Sequence, residues 1–242
     1  MKIAESVFYP VSHPDRSIAK ATSGPHRRRW LRRSGRSLAR ITLLLSAALI
    51  AVDAAAGPDI PSQPSPEQLV RQTADQVLSK LQQERPQLKA HPGKIYGLVK
   101  DIILPHFDFK RMSQWVLGPK WHRATPDQRQ HFVAEFRDML VNTYGYALLQ
   151  YENEKIQYLP TRGNPASGRV EVRTQILQPE GTSIPVNYLL FKKQGEWKVF
   201  DLSIDGVSLV SSYRNSFAEQ IQQVGLDGLI DHLAKHNQKA AA

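Results

Sequence analysis

Residues 104–151 read LPHFDFKRMSQWVLGPKWHRATPDQRQHFVAEFRDMLVNTYGYALLQY, and this stretch decides the fold. A Gly-Pro pair at 118–119 marks the end of one helix, because glycine caps helices and proline rarely continues them. The segment 125–128, TPDQ, is a capping box with proline at the first helical position. Apolar residues then recur at helical spacing as far as Tyr151. The pattern predicts a long amphipathic helix that carries no obvious catalytic group.

Helical patterns also precede this stretch. The segment 65–68, SPEQ, is a second capping box, and the apolar spacing after it predicts a helix that ends before Pro86. Another helix is predicted from residue 93 or 94 to residue 103. Asp108 is a candidate N-cap for a short helix that ends at Leu117. The N-terminal half of the globular region is therefore expected to be helical.

The hydrophobic period changes to two after Glu154, which is typical of strands. Four strands separated by short turns are predicted, at residues 155–159, 168–177, 184–192 and 196–203. Short connections favour antiparallel pairing of consecutive strands. Two further helices follow at 208–224 and 226–236, with Gly225 as the cap between them. The sequence predicts an α+β fold with an antiparallel sheet of four to five strands wrapped by helices.

Charge is concentrated at the N-terminus. The formal net charge is +10, but residues 1–56 carry ten Lys or Arg and three Asp or Glu, which leaves 22 basic and 19 acidic side chains elsewhere. Arginines precede a 12-residue apolar run, residues 41–52, and small residues follow it up to Ala56. This order predicts a cleaved secretory signal peptide, 1–56, and hence an exported protein; the alternative, an uncleaved anchor, needs a longer apolar run.

The remaining organisation follows from composition. Three prolines in residues 57–64 predict a proline-rich tether, which leaves one globular domain at 65–236 and a tail at 237–242. The chain has no cysteine, which excludes disulfides, thiol nucleophiles and thiolate metal sites. The scattered basic residues of the domain do not form the stripe expected of a nucleic-acid-binding protein.

Catalytic and metal-binding patterns are weak. Ser208 follows Gly206-Val207 as in half of a nucleophile elbow, but the second glycine is missing, and an N-cap explains it better. Asp201 and Asp205 could act as an acid–base pair, although aspartate is also common in turns. His232 and His236 have the spacing of metal ligands without the accompanying glutamate of the known motif. We therefore predict no catalytic residue, no metal and no enzymatic activity.

Two separated blocks of residues together form a recognisable signature. The first block comprises Pro105, His106, Phe107, Asp108, Phe109, Met112, Leu117, Gly118, Trp121, Ala124, Thr125, Pro126, Gln128, Phe132, Phe136, Leu140 and Tyr144. The second comprises residues 197–201, 204–209, Tyr213, Arg214, Phe217 and residues 225–230. In this order they resemble the signature of the periplasmic phospholipid-binding MlaC proteins, also called the toluene-tolerance family. The resemblance covers roughly residues 65–235, and the arginine-rich leader and the tether lie outside it.

The resemblance implies a soluble periplasmic carrier of glycerophospholipid that has neither a metal nor a cofactor. It also implies a curved sheet and helices that enclose a hydrophobic cavity for the acyl chains. The implied partners are an inner-membrane Mla ABC transporter complex and an outer-membrane Mla lipoprotein complex. A hopanoid as cargo stays open, and so does the alternative of a periplasmic chaperone or lipoprotein carrier.

Candidate lipid-binding residues are aromatic and aliphatic side chains on the inward faces of the long helix and the sheet. They are Phe132, Phe136, Leu140 and Tyr144 on the helix and Tyr158, Val172, Tyr188, Leu190, Trp197 and Val199 on the sheet. The alternative is that many of these side chains are ordinary core, because a stripe that packs and a stripe that lines a cavity look the same in a sequence.

Overall fold

The computed structural model describes residues 63–151, 154–179 and 181–241. The predicted signal peptide and the tether up to residue 62 lie outside these described residues. The first helix, α1, spans Pro66–Gln83, and Ser65 and Gln68 form the predicted capping box at its start. The sequence pattern at 65–68 thus marks the true beginning of the helical region.

Short helical segments follow α1, including 3-10 turns at Pro92–Lys94 and Leu104–His106. Helix α2 spans Arg85–Ala90 and was not predicted, because Pro86 was taken as a stop although proline is favourable in the first turn of a helix. Helix α3 spans Ile95–Leu98 and continues as a π turn through Val99–Ile103. The predicted helix ending at residue 103 is therefore present, with a wider last turn.

Residues 104–151 contain three α-helices. Helix α4 spans Phe109–Leu117, α5 spans Pro119–Arg123 and α6 spans Pro126–Gly145. Thr125 forms the predicted capping box of α6. A 3-10 helix, Tyr146–Gln150, completes the long helical segment, so its last turn tightens instead of remaining α-helical.

The strands form one antiparallel, curved and unclosed sheet in the order β1-β2-β3-β4-β5. Their bounds are Lys155–Asn164, Arg169–Leu177, Ser183–Lys193, Glu196–Ile204 and Val207–Ser208. The α+β fold with an antiparallel sheet is thereby confirmed. The four predicted strands are all present, and β5 is a two-residue strand that is too short to show a period.

The last helix, α7, spans Leu209–Ala241 and bends at Gly225, whose φ of 77° and ψ of 177° are not helical. The bend confirms the predicted glycine between two helices. The helix continues beyond residue 236, where a tail was expected, because lysine, glutamine and alanine favour helix. The Asn237 amide donates to the Glu135 carbonyl of α6 at 3.0 Å, which ties this last part of the helix to the domain.

Apolar side chains form three clusters. The first joins α4, α6, α7 and one side of the sheet, and includes Phe191 and Phe200. The second joins the first half of α1 to the other side of the sheet, and includes Leu190 and Val199. The third joins the second half of α1 to α2, α3 and the π turn. We call the two sides of the sheet the α4 face and the α1 face, after the helices that pack on them.

A bulge decides which face each residue of β4 joins. Leu190 pairs with Val199, but Leu189 pairs with Asp201, so Phe200 is an extra residue in β4. Its ring lies in the first cluster, 5.7 Å from the ring of Phe191. The bulge thereby gives the α4 face an additional aromatic side chain at the point where α4 packs.

Candidate functional site

The four predicted site residues of α6 lie in the first cluster. Phe132 and Phe136 are 0% exposed, and their rings stack with 5.6 Å between centroids. Leu140 belongs to the same cluster and Tyr144 packs against it. Phe136 also makes an edge-to-face contact with Tyr213 of α7, at 5.5 Å. In this structure the stripe of α6 holds α7 in place.

Tyr144 illustrates how closed this region is. Burial raises the pKa of its hydroxyl far above the ordinary range, and the neighbouring Tyr213 adds to the effect. The pKa of Tyr213 is raised as well, chiefly by burial. Both hydroxyls therefore stay neutral at physiological pH, as buried core groups do.

The six predicted site residues of the sheet lie in the second cluster, on the α1 face. Val172 and Leu190 are 0% exposed, while Trp197 and Val199 are buried beside them. Tyr158 and Tyr188 pack against this cluster. The sheet thus separates these six residues from the four on α6, so the ten do not form one surface. Their contact with lipid stays a prediction.

The first half of α1 covers this part of the sheet. Leu69 and Val70 pack among the buried side chains, and the Arg71 guanidinium lies 3.7 Å from the centroid of the Tyr158 ring. Burial raises the pKa of the Tyr188 hydroxyl to about 12, and a smaller contribution of the same sign comes from Tyr158. Water is therefore largely excluded under α1.

Farther along the same strands, the α1 face continues as a partly exposed aliphatic surface. In the sheet register Ile176 pairs with both Ile156 and Ile184, and Ile204 pairs with Val186. Leu202 pairs with Tyr188, so it lies on the same face. We call Ile156, Ile176, Ile184, Leu202 and Ile204 the aliphatic row. All five are intermediate in exposure, in contrast to the closed region under α1.

The aliphatic row was not among the predicted site residues, although the alternation of β2 points to it. Ile176 lies four residues after Val172, so the period of two places both side chains on one face. The predicted residues of the sheet lie nearer to α1, in the more closed part of the same face.

The third cluster provides further partly buried apolar groups near the start of β1. The side chains packed around its buried members are Leu78, Tyr96, Ile102, Ile103, Leu104, Val141, Leu148, Leu149 and Tyr151. The Tyr151 hydroxyl donates to the Glu154 carbonyl at 2.9 Å, and Arg85 donates to the Tyr151 carbonyl at 3.0 Å. These bonds connect the third cluster directly to the strand that carries Ile156.

Two cavities lie at the β3–β4 turn. One has a volume of about 370 Å³ and is lined by Phe107, Asp108, Phe109, Lys193, Gln194, Glu196 and Lys198. The other, of about 190 Å³, lies against Leu69 and Trp197 and shares Glu196 and Lys198. Pockets for drug-sized ligands measure roughly 300–1,000 Å³, so the first cavity lies near the lower end of that range and the second lies below it.

The charged groups of these cavities are already paired. Lys193 donates to Asp108 at 2.6 Å, and Lys198 lies 2.8 Å from the Glu196 carboxylate. Burial and the Lys198 charge lower the pKa of His106, so its imidazole is neutral at physiological pH. The groups in and beside the cavities therefore form a local electrostatic network.

The weak catalytic candidates have structural roles. The Ser208 hydroxyl donates to Asp201 at 2.7 Å and accepts from the Ser211 backbone N–H at 3.0 Å, as an N-cap does. Asp201 also accepts from the backbone N–H of Leu202 and Val210. Asp205 is exposed in a turn, with a φ of 51°. The N-cap interpretation of Ser208 is supported, and Asp201 takes part in the same cap.

In the described part of the chain, we find no cluster of three or more possible metal ligands and no membrane-spanning helix. Residues 63–151, 154–179 and 181–241 contain no group of three or more His, Asp or Glu side chains that could hold a metal ion. His232 and His236 are exposed on α7. Within the same ranges, no helix combines the length and the hydropathy needed to cross a bilayer.

Comparisons with known proteins agree on one family. The chain is 31% identical to the toluene tolerance protein ttg2D of Pseudomonas putida over 183 residues, which are 73% of this chain and 85% of that protein. It is 28% identical over 193 residues, 78% of this chain, to an intermembrane phospholipid transport system binding protein MlaC of Haemophilus influenzae, 87% of which is covered.

A solved structure supports the same assignment. It is that of a phospholipid-binding protein from Ralstonia solanacearum in complex with a phospholipid, and it matches with a TM-score of 0.69 and 30% identity. The match covers 74% of this chain and 100% of that one. The family model described as MlaC protein matches residues 71–235, which is more than half of the sequence. The chain therefore belongs to the MlaC family.

Proposed function

We propose that this chain binds glycerophospholipid and carries it through the periplasm between an inner-membrane and an outer-membrane complex. The observation that carries the proposal is the aliphatic row, a continuous apolar surface left partly exposed on the α1 face. The Ralstonia solanacearum relative, which spans the same domain, was solved with a phospholipid bound. The name of the Haemophilus influenzae relative places that protein in intermembrane phospholipid transport.

The chemistry of the aliphatic row suits acyl chains. Its five members carry no polar side-chain atom, and each methylene that leaves water on their surface contributes about 0.8 kcal/mol. The partly buried side chains of the third cluster, such as Ile103 and Leu148, are apolar as well. Acyl chains along the row would therefore exchange water for hydrocarbon on both sides.

The cargo needs more room than the two cavities at the β3–β4 turn provide. Val172 and Leu190 under α1 have no exposed surface, and the two cavities at the β3–β4 turn measure about 370 and 190 Å³. We therefore infer that the helices of the third cluster and the aliphatic row move apart when acyl chains enter. The core formed by α4, α6 and α7 can stay unchanged, because it lies on the α4 face.

The energetics favour delivery by contact. Two acyl chains of about sixteen carbons represent on the order of 25 kcal/mol of gross transfer free energy, more than non-covalent affinities usually reach. Release into water would be very slow even after large ordering costs are subtracted. We propose that the lipid passes directly to a docked partner, such as the inner-membrane ABC transporter complex or the outer-membrane lipoprotein complex.

The proposed address follows from the leader. Arginines, an apolar run of 12 residues and small residues up to Ala56 have the order of a cleaved signal peptide. Export of the domain to the periplasm would place it between the two membranes. We expect the protein isolated from the periplasm to begin near Gly57. Mass spectrometry of the intact protein would measure this N-terminus.

An extraction experiment tests the proposal. Organic extract of the purified protein should contain glycerophospholipid by mass spectrometry, and Ile176→Glu in the aliphatic row should lower the amount at least tenfold. Gln157→Glu is the matched control, because Gln157 is exposed on the α4 face of the neighbouring strand. Equal lipid in both variants would contradict the proposed site.

The same extract distinguishes other cargoes. A hopanoid in place of phospholipid would keep the carrier and change its substrate. An acylated polypeptide would instead indicate a chaperone or lipoprotein carrier. An extract without any lipid, from protein that is folded by circular dichroism, would overturn the proposed function.

A further inference from the structure

The α4 face of β1 and β2 is basic. The charged side chains that the alternation of the strands places there are Lys155, Arg162, Arg169, Arg173 and Glu171. Arg162 lies 3.9 Å from the Glu171 carboxylate, which is the one acid on this face of the two strands. Lys155, Arg162 and Arg169 are exposed, and Arg173 is intermediate. Three positive charges thus remain after the single pair is counted.

Helix α4 extends this basic face with an arginine and an exposed tryptophan. The Arg111 guanidinium lies 3.9 Å from the centroid of the Phe191 ring and 5.3 Å from that of Phe200. The Arg169 guanidinium approaches Phe200 to 5.1 Å and Trp115 to 5.6 Å. Trp115 itself is 41% exposed although it contacts the buried Phe200 ring at 5.7 Å. The guanidinium groups of Arg111 and Arg169 and the ring of Trp115 therefore all lie beside the ring of Phe200.

Neither guanidinium has an acceptor in the described part of the chain. Within residues 63–151, 154–179 and 181–241, no hydrogen bond or ion pair joins the side chains of Arg111 and Arg169 to another residue. The Nε–H of Arg111 is even buried without a partner. Asp108 lies near enough for the Arg111 charge to lower its pKa, but its carboxylate is bonded to Lys193 at 2.6 Å. The guanidinium of the exposed Arg169 is therefore free to bind an external anion.

We propose that this basic face and Trp115 dock on the surface of an anionic phospholipid bilayer. The arginines and Lys155 would meet lipid phosphodiesters, and Trp115 would enter the headgroup region, where tryptophan is favoured. Arginine suits this role because its planar fork binds phosphate oxygens in pairs. The aliphatic row lies on the opposite face of the same strands, so the headgroup of a lipid bound there does not account for the basic face.

The spread of the charges favours a bilayer over a single acidic group. Lys155 pairs with Leu177 at one end of β2, and Arg169 stands at the other end, eight residues away. At about 3.4 Å per residue, the basic side chains extend over roughly 27 Å along the strands. Across the sheet they span two neighbouring strands, β1 and β2. A planar array of phosphates matches an extended layer, and the surface potential of anionic lipids acts on every basic group near it.

Vesicle binding tests this inference. The full chain, as isolated from cells, is sedimented with vesicles of phosphatidylcholine alone or mixed with phosphatidylglycerol. Mass spectrometry records whether residues 1–56 are attached, since that basic leader would itself bind. We expect binding to the anionic vesicles that weakens with salt, and a loss of about tenfold or more in the Arg169→Glu/Arg173→Glu variant and of a few fold in Trp115→Ala.

A charge-matched control separates a local surface from net charge. The control is the double variant Lys89→Glu/Lys100→Glu, which changes the net charge by the same amount. Both lysines are exposed, on α2 and on the π turn, and this variant should retain most of the binding. Equal losses in both double variants, or no binding of the unchanged chain to anionic vesicles, would overturn the inference. Unfolding midpoints of all variants show whether a loss reflects folding. The inference does not depend on the proposed cargo, because lipid in the extract is measured separately.

Discussion

The two faces of β1 and β2 carry different kinds of side chain: the α1 face is apolar and the α4 face is basic. On the α1 face, Val172 and Ile176 belong to an apolar surface that is closed under α1 and open beyond it. On the α4 face of the same strand, the exposed Arg169 and the half-buried Arg173 lie among other basic groups. A period of two residues therefore encodes two surfaces at once, one suited to hydrocarbon and one to anions.

A second difference lies within the α1 face. Val172 and Leu190 are 0% exposed and touch α1, whereas the aliphatic row is partly exposed and continues the same face. Apolar groups that are already buried stabilise the fold, and only those still in contact with water can gain from binding a ligand. Burial thus separates residues needed for folding from residues available for cargo.

The largest expected effect concerns the part of the α1 face that helix α1 covers. Val172→Glu would place a carboxylate without a partner under α1, and should lower the free energy of unfolding by about 3–5 kcal/mol. Its neighbour Arg173 faces the other way, so Arg173→Glu should change stability by less than about 1 kcal/mol. Urea unfolding of both variants provides the comparison. Similar midpoints for the two would show that the faces are not distinct.

A comparable loss of stability is expected in the first cluster. Phe136→Ala removes a fully buried ring between α6 and α7, and should cost about 3–5 kcal/mol. Because the ring lies on the α4 side of the sheet, the folded fraction should keep its cargo. Phospholipid per mole of folded protein is the quantity to measure. A selective loss of lipid would show that α6 lines the lipid cavity.

The Asp108–Lys193 ion pair makes a smaller, pH-dependent contribution. Burial alone would raise the pKa of Asp108, but the hydrogen bonds from Lys193 and the Arg111 backbone outweigh it and lower the pKa. The stabilisation is therefore present above the unfolded pKa of about 4 and is lost as the pH falls through the lower folded value. Asp108→Asn should cost about 1 kcal/mol at neutral pH and flatten the acid limb of the stability curve.

The smallest effect concerns the exposed ion pair on the basic face. Arg162→Ala breaks a 3.9 Å contact between an exposed guanidinium and the half-buried Glu171, and should change the free energy of unfolding by less than about 0.5 kcal/mol. Thermal unfolding measures it. A cost above 1 kcal/mol would mean that this face is held together by its charges and is less free to bind an external anion than we infer.

Local signals predicted much of this fold. The capping boxes at Ser65 and Thr125, the Asp108 cap and the bend at Gly225 all depend on neighbouring residues, and all four are present. The change of period at residue 154 likewise predicted four strands, because alternation is a local property.

Long-range packing could not be predicted in the same way. The stripe of Phe132 and Phe136 is equally suited to α7 and to a cavity, and only tertiary structure shows that α7 covers it. The bulge that turns Phe200 to the α4 face leaves no mark in the alternation. The cover of α1 over Val172 joins segments about a hundred residues apart. Candidate site residues were therefore chosen by type, and their burial was unknown.

Photo-crosslinking tests the central claim most directly. A benzophenone amino acid is placed at Leu202 in the aliphatic row, at Gln157 on the α4 face or at Phe136 in the first cluster, and the purified protein is irradiated with its co-purified lipid. Mass spectrometry should detect a phospholipid adduct at Leu202 and none at the other two positions. Adducts at Phe136 without any at Leu202 would contradict the account and place the acyl chains on the other side of the sheet.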